Sequence, residues 1–317
     1  MSVTSGALAE RQLPGLRELA VASRPVLDDI SVVIPTLGRA ILATSLRHLA
    51  EGSAWPARVI VVDQGSRPEV AALIEALREA GLGADYLPST RRGRAAGVNL
   101  GIAQARTRFV AVTDDDCFVE PDWLENLVAH LRARPEAIVT GRVEQAGDEQ
   151  VISLRTSREA TIITRPLLRH DSVCGGNMGV ARAVLGRIGP LDEDPVLRTA
   201  EDGEFSYRAL RSGVPVIYAP DVGVCHYGWR DEGQRAAQYR SYGVSQGGFY
   251  GKYLRRGDWF IAARVVVHLL KALRRWATGA LTGNRDLALN GRAYVTGLIP
   301  GILAGLRSRH ERSASGR

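Results

Sequence analysis

The sequence predicts an α/β fold, in which a mostly parallel sheet is flanked by helices and followed by a C-terminal helical extension. Three observations carry this. From Ile30 onward, apolar strand-like runs (ISVVIPT, RVIVVDQGS, ADYLPST) alternate with helical ones (GRAILATSLRHLAEG, PEVAALIEALREAG), the signature of a parallel sheet covered on both faces. The early strands end in small or polar residues, first Pro35 and Thr36, then Asp63 and Gly65, then Asp114 to Asp116. Ligands of open α/β sheets gather at that edge. Beyond residue 231 the chain changes to a Gly-, Tyr- and Arg-rich segment and then two apolar stretches.

Taken in order, residues 1–29 have mixed polarity and no strand periodicity, and read as an appended N-terminal arm. Residues 30–116 form the strictly alternating half of a domain that extends to residue 230. In its second half, 117–230, AIVTGRVEQA at 137–146 reads as a strand, 147–172 as polar loop, and GGNMGVAR at 175–182 as a glycine-bracketed turn entering a short strand. Asp202 to Arg211 is helical, with Glu204 placed to pair with Arg208 at i,i+4. VPVIYAP and DVGVCHYG are two short extended segments. In the extension, 231–317, Arg264, His268, Lys271 and Arg275 draw one narrow basic stripe along the apolar stretch Trp259 to Trp276. Neither that stretch nor AYVTGLIPGILAGL supplies the ~20 uninterrupted apolar residues of a spanning helix. Two readings stand: an interfacial helix with its cations at the lipid headgroups, or a helix pair packed on the preceding domain.

The chain has 317 residues, 45% of them hydrophobic, and a formal charge of +7. That size and apolar content support a globular core. The charge suits phosphate-bearing ligands, nucleic acid or an anionic membrane equally, but no nucleic-acid motif or aromatic-and-basic array is present. Cys117, Cys174 and Cys225 are odd in number and widely spaced, which argues against a disulfide framework or cysteine-rich zinc site and for reduced cytosolic thiols. MSVTSGALAERQLPGLREL lacks the pattern of a secretory signal. The expected location is cytoplasmic, with peripheral contact on the inner face of the membrane.

VAVTDDD, from Val110 to Asp116, concentrates three carboxylates at a strand end. Side chains two apart on a strand share a side, so Asp114 and Asp116 are expected to converge on one cation while Asp115 faces elsewhere. A hard divalent ion held by one or two carboxylates keeps positions open for phosphates, which implies a diphosphate ligand. An acidic helix N-terminus preceding DWLENLVAHL is the plainer alternative. Arg91, Arg92 and Arg94 around Gly93 offer guanidinium forks and backbone donors to phosphate just before a helix. Gly175, Gly176 and Asn177 would let backbone approach a ligand closely. Glu201, Asp202 and Glu204 at one helix start exceed what capping requires. His226 follows a short strand and is either structural or a ligand.

These segments together resemble, in order and spacing, inverting glycosyltransferases of family 2, which have the Rossmann-like GT-A fold. SVVIPTLGR is similar to that family's first strand and turn, VIVVDQGS to its second strand, RRGRAAGVNLGIAQA to its glycine-to-asparagine helix and VTDDD to its metal motif. GGNMGVAR, GPLDE and AEDGEFSYRAL resemble its acceptor-side segments, so the likeness covers about residues 30–230. The resemblance implies a GT-A catalytic domain with a nucleotide-binding half, 30–116, and an acceptor half, 117–230. It implies that Asp63 contacts the base or ribose and that Asp114 lies near the ribose, while Thr36, by its place at a strand end, is read as meeting the nucleoside and Arg92, among the arginines around Gly93, as meeting phosphate. It implies a metal, Mg²⁺ or Mn²⁺, on Asp116 with His226 on metal or diphosphate. Gly176, Asn177 and Glu201 would contact sugar or acceptor, and Asp202 would be the catalytic base. Trp229 and Arg230 would belong to a segment that closes over the donor. Where the family often has a second acid after Asp63 this chain has Gln64, which leaves the nucleobase open.

The expected activity is therefore metal-dependent transfer of a sugar from a nucleoside diphosphate sugar to a hydroxyl of a glycan or lipid-linked acceptor, with inversion, in cell-envelope or other glycan biosynthesis. A nucleotidyltransferase of similar fold is the rival within enzymes, although PTLGRA lacks a lysine-bearing triphosphate loop. A non-catalytic nucleotide-sugar-binding or membrane scaffold protein is the rival outside them.

Overall fold

The computed structural model describes residues 24–147, 154–228 and 232–309. Two compact units divide the chain: Met1–Arg165, Val173–Pro190 and Ala209–Gly228 form the first, and Pro166–Ser172, Leu191–Arg208 and Trp229–Arg317 the second. This division follows packing rather than chain order, because segments before residue 230 join the C-terminal helices.

In the first unit the β-branched runs become strands: β1 (Val26–Thr36), β2 (Trp55–Asp63), β3 (Ala84–Pro88) and β4 (Phe109–Thr113), which pair in parallel in the order β3-β2-β1-β4. Val32, Val33, Ile34, Val61, Val62, Val110 and Val112 are fully buried, each such side chain contributing about 1.5–3 kcal/mol when removed from water. Helices α1 (Leu42–Glu51), α2 (Pro68–Glu79) and α3 (Arg94–Gln104) connect them. Gly101 lets α3 lie on β1, since a side chain there would overlap Val33. β1 starts at Val26, inside the expected N-terminal arm; residues 1–23 of that arm lie outside the described residues.

The sheet continues through β5 (Cys117–Val119), β6 (Ile138–Ala146), β8 (Asn177–Ala181) and β9 (Val216–Tyr227), giving the order β3-β2-β1-β4-β8-β6-β9-β5 with β7 (Thr161–Ile163) paired to β9. β8, β5 and β7 run antiparallel to their neighbours β4, β9 and β9, so most strands share one direction. The segments expected as two short strands near 216–227 are one long strand whose register against β6 shifts between Gly141 and Arg142. α4 (Trp123–Ala133) and α5 (Arg182–Ile188) complete this unit, and α6 (Glu201–Arg211) begins in the second.

The second unit is built on α7 (Glu232–Leu254), α8 (Trp259–Thr282) and α9 (Arg285–Arg307). Its core gathers Leu197, Tyr207, Phe249, Tyr250, Ile261 and Leu298. α7 and α9 meet along glycines four apart: Gly243, Gly247 and Gly251 on one, Gly297, Gly301 and Gly305 on the other. A Cβ on Gly243 would lie 2.8 Å from Tyr294 O, and one on Gly297 2.7 Å from Arg240 O. Such small-residue seams let two backbones touch. The first half of the basic stripe on α8 is turned inward, with Arg264 2% and His268 9% exposed, whereas Lys271 stays exposed. Arg264 pairs with Asp171 and lies over the rings of Phe249 and Tyr250. The cations expected at lipid headgroups are thus partly committed to the unit's interior.

Candidate active site

β4 ends at Thr113, and Asp114 to Asp116 form a turn closed by Cys117 N–H donating to Asp114 O at 3.1 Å. The alternation expected of a strand therefore does not govern the triplet. Asp114 instead accepts from Arg94 Nε at 2.7 Å. Asp115 and Asp116 share Arg39, whose guanidinium pairs with Asp115 and reaches Asp116 Oδ2 at 3.0 Å. Asp115 also accepts the Thr36 hydroxyl at 2.6 Å. Burial pushes the Asp115 carboxyl up against the opposing pull of Arg39, and the carboxylates hold the Arg39 guanidinium above its ordinary range despite its burial.

The other end of the sheet completes the site. β5 and β9 pair so that Cys117 lies opposite His226, and Tyr227 N–H donates to Asp116 O at 2.8 Å. His226 Nε2 thereby stands 3.5 Å from Asp116 Oδ1. Donor atoms of Asp116, Cys117 and His226 all lie within 4.8 Å of one another. One carboxylate oxygen, one imidazole nitrogen and one sulfur suit a divalent cation, with the thiol tilting the set towards softer ions. Burial, then the charges of Asp114 and Asp116, push the Cys117 thiol well up.

Gly176 explains itself here, because a Cβ would lie 2.9 Å from both Asp114 Oδ2 and Cys117 Sγ. Its carbonyl accepts from Thr113 Oγ1 at 3.0 Å. A Cβ on Gly175 would press on the Arg94 guanidinium at 2.7 Å. The glycine pair thus leaves room against the acidic turn.

Other expected residues are engaged differently. Asp63 is fully buried and accepts from Gly65 N–H at 2.8 Å, Arg67 N–H at 2.7 Å and the Tyr86 hydroxyl at 3.0 Å, which shapes the loop after β2. Gln64, the departure from the family pattern, donates to Arg91 O at 2.7 Å and Gly93 O at 2.8 Å, tying the arginine loop to β2. Arg92 is exposed on that loop. Asn177, expected near a sugar, is fully buried; it accepts from Trp123 Nε1 at 2.9 Å and donates to Arg142 O at 3.0 Å and Val222 O at 2.8 Å. It fastens the middle of the sheet. Trp229 and Arg230 lie outside the described residues.

In the second unit, Glu201, Asp202 and Glu204 occupy the first turn of α6. Glu204 is spent on Arg208 at 2.9 Å and on the Tyr253 hydroxyl at 2.7 Å. Glu201 is buried and Asp202 partly exposed. Gly203 follows because a Cβ there would sit 2.7 Å from the Asp171 carboxyl.

A mostly parallel sheet with an acidic turn at the carboxyl end of β4 defines an α/β protein of the GT-A kind. The family model "Glycosyl transferase family 2" matches residues 31–188, about half of the chain, and the chain belongs to that family. It is similar to the chondroitin synthase of Escherichia coli, 29% identical over 59% of this chain and 33% of that protein. It is also similar to the hyaluronan synthase of Pasteurella multocida, 26% identical over 58% of this chain and 23% of that protein. It thus aligns with about a third and a quarter of the length of these curated relatives. Among solved structures, a mannosyltransferase from Pyrobaculum calidifontis in complex with GDP-Man and Mn²⁺ shares the fold, with TM-score 0.60 and 18% identity over 97% of this chain and 100% of that one.

Proposed function

We propose that this chain transfers a sugar from a nucleoside diphosphate sugar to a hydroxyl of a glycan or lipid-linked acceptor, with inversion, in glycan biosynthesis. The observation that carries it is the acidic turn with His226 beside Asp116, in a chain of glycosyltransferase family 2. The similar mannosyltransferase, solved with a sugar nucleotide and Mn²⁺, and the curated polysaccharide synthases support the same class.

Asp116 and His226 would hold the cation, Mg²⁺ or Mn²⁺, with Cys117 adjacent. Bound there, it would supply Lewis-acid neutralisation of the departing diphosphate. Arg39 keeps Asp115 and Asp116 in one arrangement, and Arg94 does the same for Asp114 on the ribose side. Arg92 and the start of α3, whose Gly93 N-cap at φ 109 makes no side-chain capping bond, offer donors to phosphate. Thr36 and Asp63 shape the nucleoside side through Asp115 and the loop after β2. Gly176 leaves space for the sugar, with Asn177 anchoring its strand. Asp202 accepts the acceptor's hydroxyl proton as the oxygen attacks the anomeric carbon, and Glu201 orients sugar or acceptor. One displacement inverts the centre. None of the three cysteines is in a disulfide, which supports a reducing, cytoplasmic setting.

A panel of nucleotide sugars, each with Mn²⁺ or Mg²⁺, scored by thermal protection and slow hydrolysis, tests donor and class together. Asp202→Asn should abolish transfer with donor affinity nearly intact. Retained turnover in that variant would remove Asp202 from the mechanism, and absence of protection by every nucleotide sugar would remove the function.

A further inference from the structure

Among the described residues, the C-terminal helices carry an apolar face that nothing covers. On α8, Trp259, Ala263, Val266, Leu270, Leu273 and Ala277 are all exposed. Their spacing of four, three, four, three and four lays them along one side for about 27 Å. Trp259 is 85%, Val266 56% and Leu270 60% exposed. On α9, Ile299, Leu303 and Leu306 repeat the pattern, also exposed. The glycine seam contributes to this: α7 and α9 join through backbone contacts, and while Leu298 is buried in the core, Ile299, Leu303 and Leu306 are left exposed. Contiguous exposed apolar surface of this kind marks an interaction site.

Charge selects the occupant. Between residues 233 and 309 the acids are Asp258 and Asp286 alone. Asp258 is taken by the Tyr207 hydroxyl and the start of α8, and Asp286 by the Tyr239 hydroxyl. Lys271, Arg274, Arg285, Arg292 and Arg307 are exposed on the same two helices. Among the described residues no helix is long and apolar enough to cross a membrane. We infer that α8 and α9 lie flat on an anionic lipid bilayer, their apolar stripe among the acyl chains and their outer arginines at the headgroups, as amphipathic interfacial helices do. The inward Arg264 and His268 take no part in this docking.

The test is sedimentation of the full chain with vesicles of phosphatidylcholine alone or with three-tenths phosphatidylglycerol, which reads binding without reference to sugar transfer. Binding to the mixed vesicles is expected, with a blue shift of tryptophan emission and loss on raising salt. Val266→Glu with Leu270→Glu should weaken it at least ~10-fold with circular dichroism unchanged, since exposed substitutions rarely unfold a protein. Arg274→Glu with Arg292→Glu is the second variant and should weaken binding only to the anionic vesicles. No binding to either vesicle, or equal binding by both variants, overturns the inference. So does a concentration-dependent dimer that Leu270→Glu dissociates, because the face would then belong to a second copy.

Discussion

His268 should make the second unit acid-labile. Its Nδ1 lies 3.0 Å from the Tyr250 hydroxyl and 3.2 Å from that of Tyr294. Burial, then the neighbouring Arg264 charge, lower its pKa to about 4, with Lys271 acting the same way and Asp171 and the Arg169 backbone opposing them. In the unfolded chain a histidine titrates near ~6.5. Between these values the unfolded chain binds more protons than the folded one, so stability is complete above pH ~6.5 and falls as pH drops towards 4. The shift of about 2.5 units is worth about 3 kcal/mol in all, of which about 2 kcal/mol is lost between pH 7.5 and pH 5. Hydrogen exchange of peptides from α8 and α9 at those two pH values reads the opening free energy of this unit directly. His268→Gln keeps a hydrogen-bonding group without the titration, and should flatten the pH dependence by about 2 kcal/mol. An identical slope in wild type and variant would refute the reasoning.

Arg39→Gln leaves the buried Asp115 and Asp116 without their shared cation and should destabilise the first unit by about 3–5 kcal/mol, partly restored by saturating Mn²⁺; an unchanged denaturation midpoint in metal-free buffer would contradict it. Cd²⁺ added to the full chain should produce a thiolate-to-metal absorption band that Cys117→Ser abolishes, and a band surviving in that variant would take the thiol out of the donor set. Gly301→Ala drives a methyl into the Val244 carbonyl and should cost about 1–3 kcal/mol or more, measured by denaturant unfolding. Gly186→Ala meets open space within α5 and should stabilise by about 0.4–1 kcal/mol.

The sheet was legible because its strands are runs of β-branched residues bounded by turn formers, and burial on both faces leaves such runs little alternative. The acidic triplet was legible as charge in need of a partner, because carboxylates gathered at a strand end have to be balanced. What balances it was not. Arg39 sits in PTLGRA, a stretch that looks like an ordinary turn, and its partner Asp115 is 76 residues away. Cys117 reads as one of three scattered reduced thiols until β5 and β9 pair and set it opposite His226. The triplet's internal geometry was misjudged because the period-two rule holds only while the chain is extended, and β4 stops one residue before Asp114. Asn177 follows a glycine pair and so looks like part of a ligand turn, whereas its amide closes hydrogen bonds to two other strands of the sheet and to Trp123 on α4.

The C-terminal helices show a different limit. Periodicity on α8 gave the stripe Arg264, His268, Lys271 and Arg275 correctly, but a narrow polar stripe on an apolar helix has two solutions. It faces water or headgroups when the apolar side is buried in protein, and it faces inward when the protein offers it partners. Asp171, from a segment that composition marks only as polar loop, supplies the countercharge for Arg264, and Tyr250 and Tyr294 supply polar contacts for His268. Turning those two residues inward necessarily turns Val266 and Leu270, about half a turn away, outward. The buried polar cluster and the exposed apolar face therefore have one cause. If so, Asp171→Leu should loosen Arg264 from the interior and, by letting α8 rotate, reduce both the protection of its amides from exchange and the exposure of its apolar stripe.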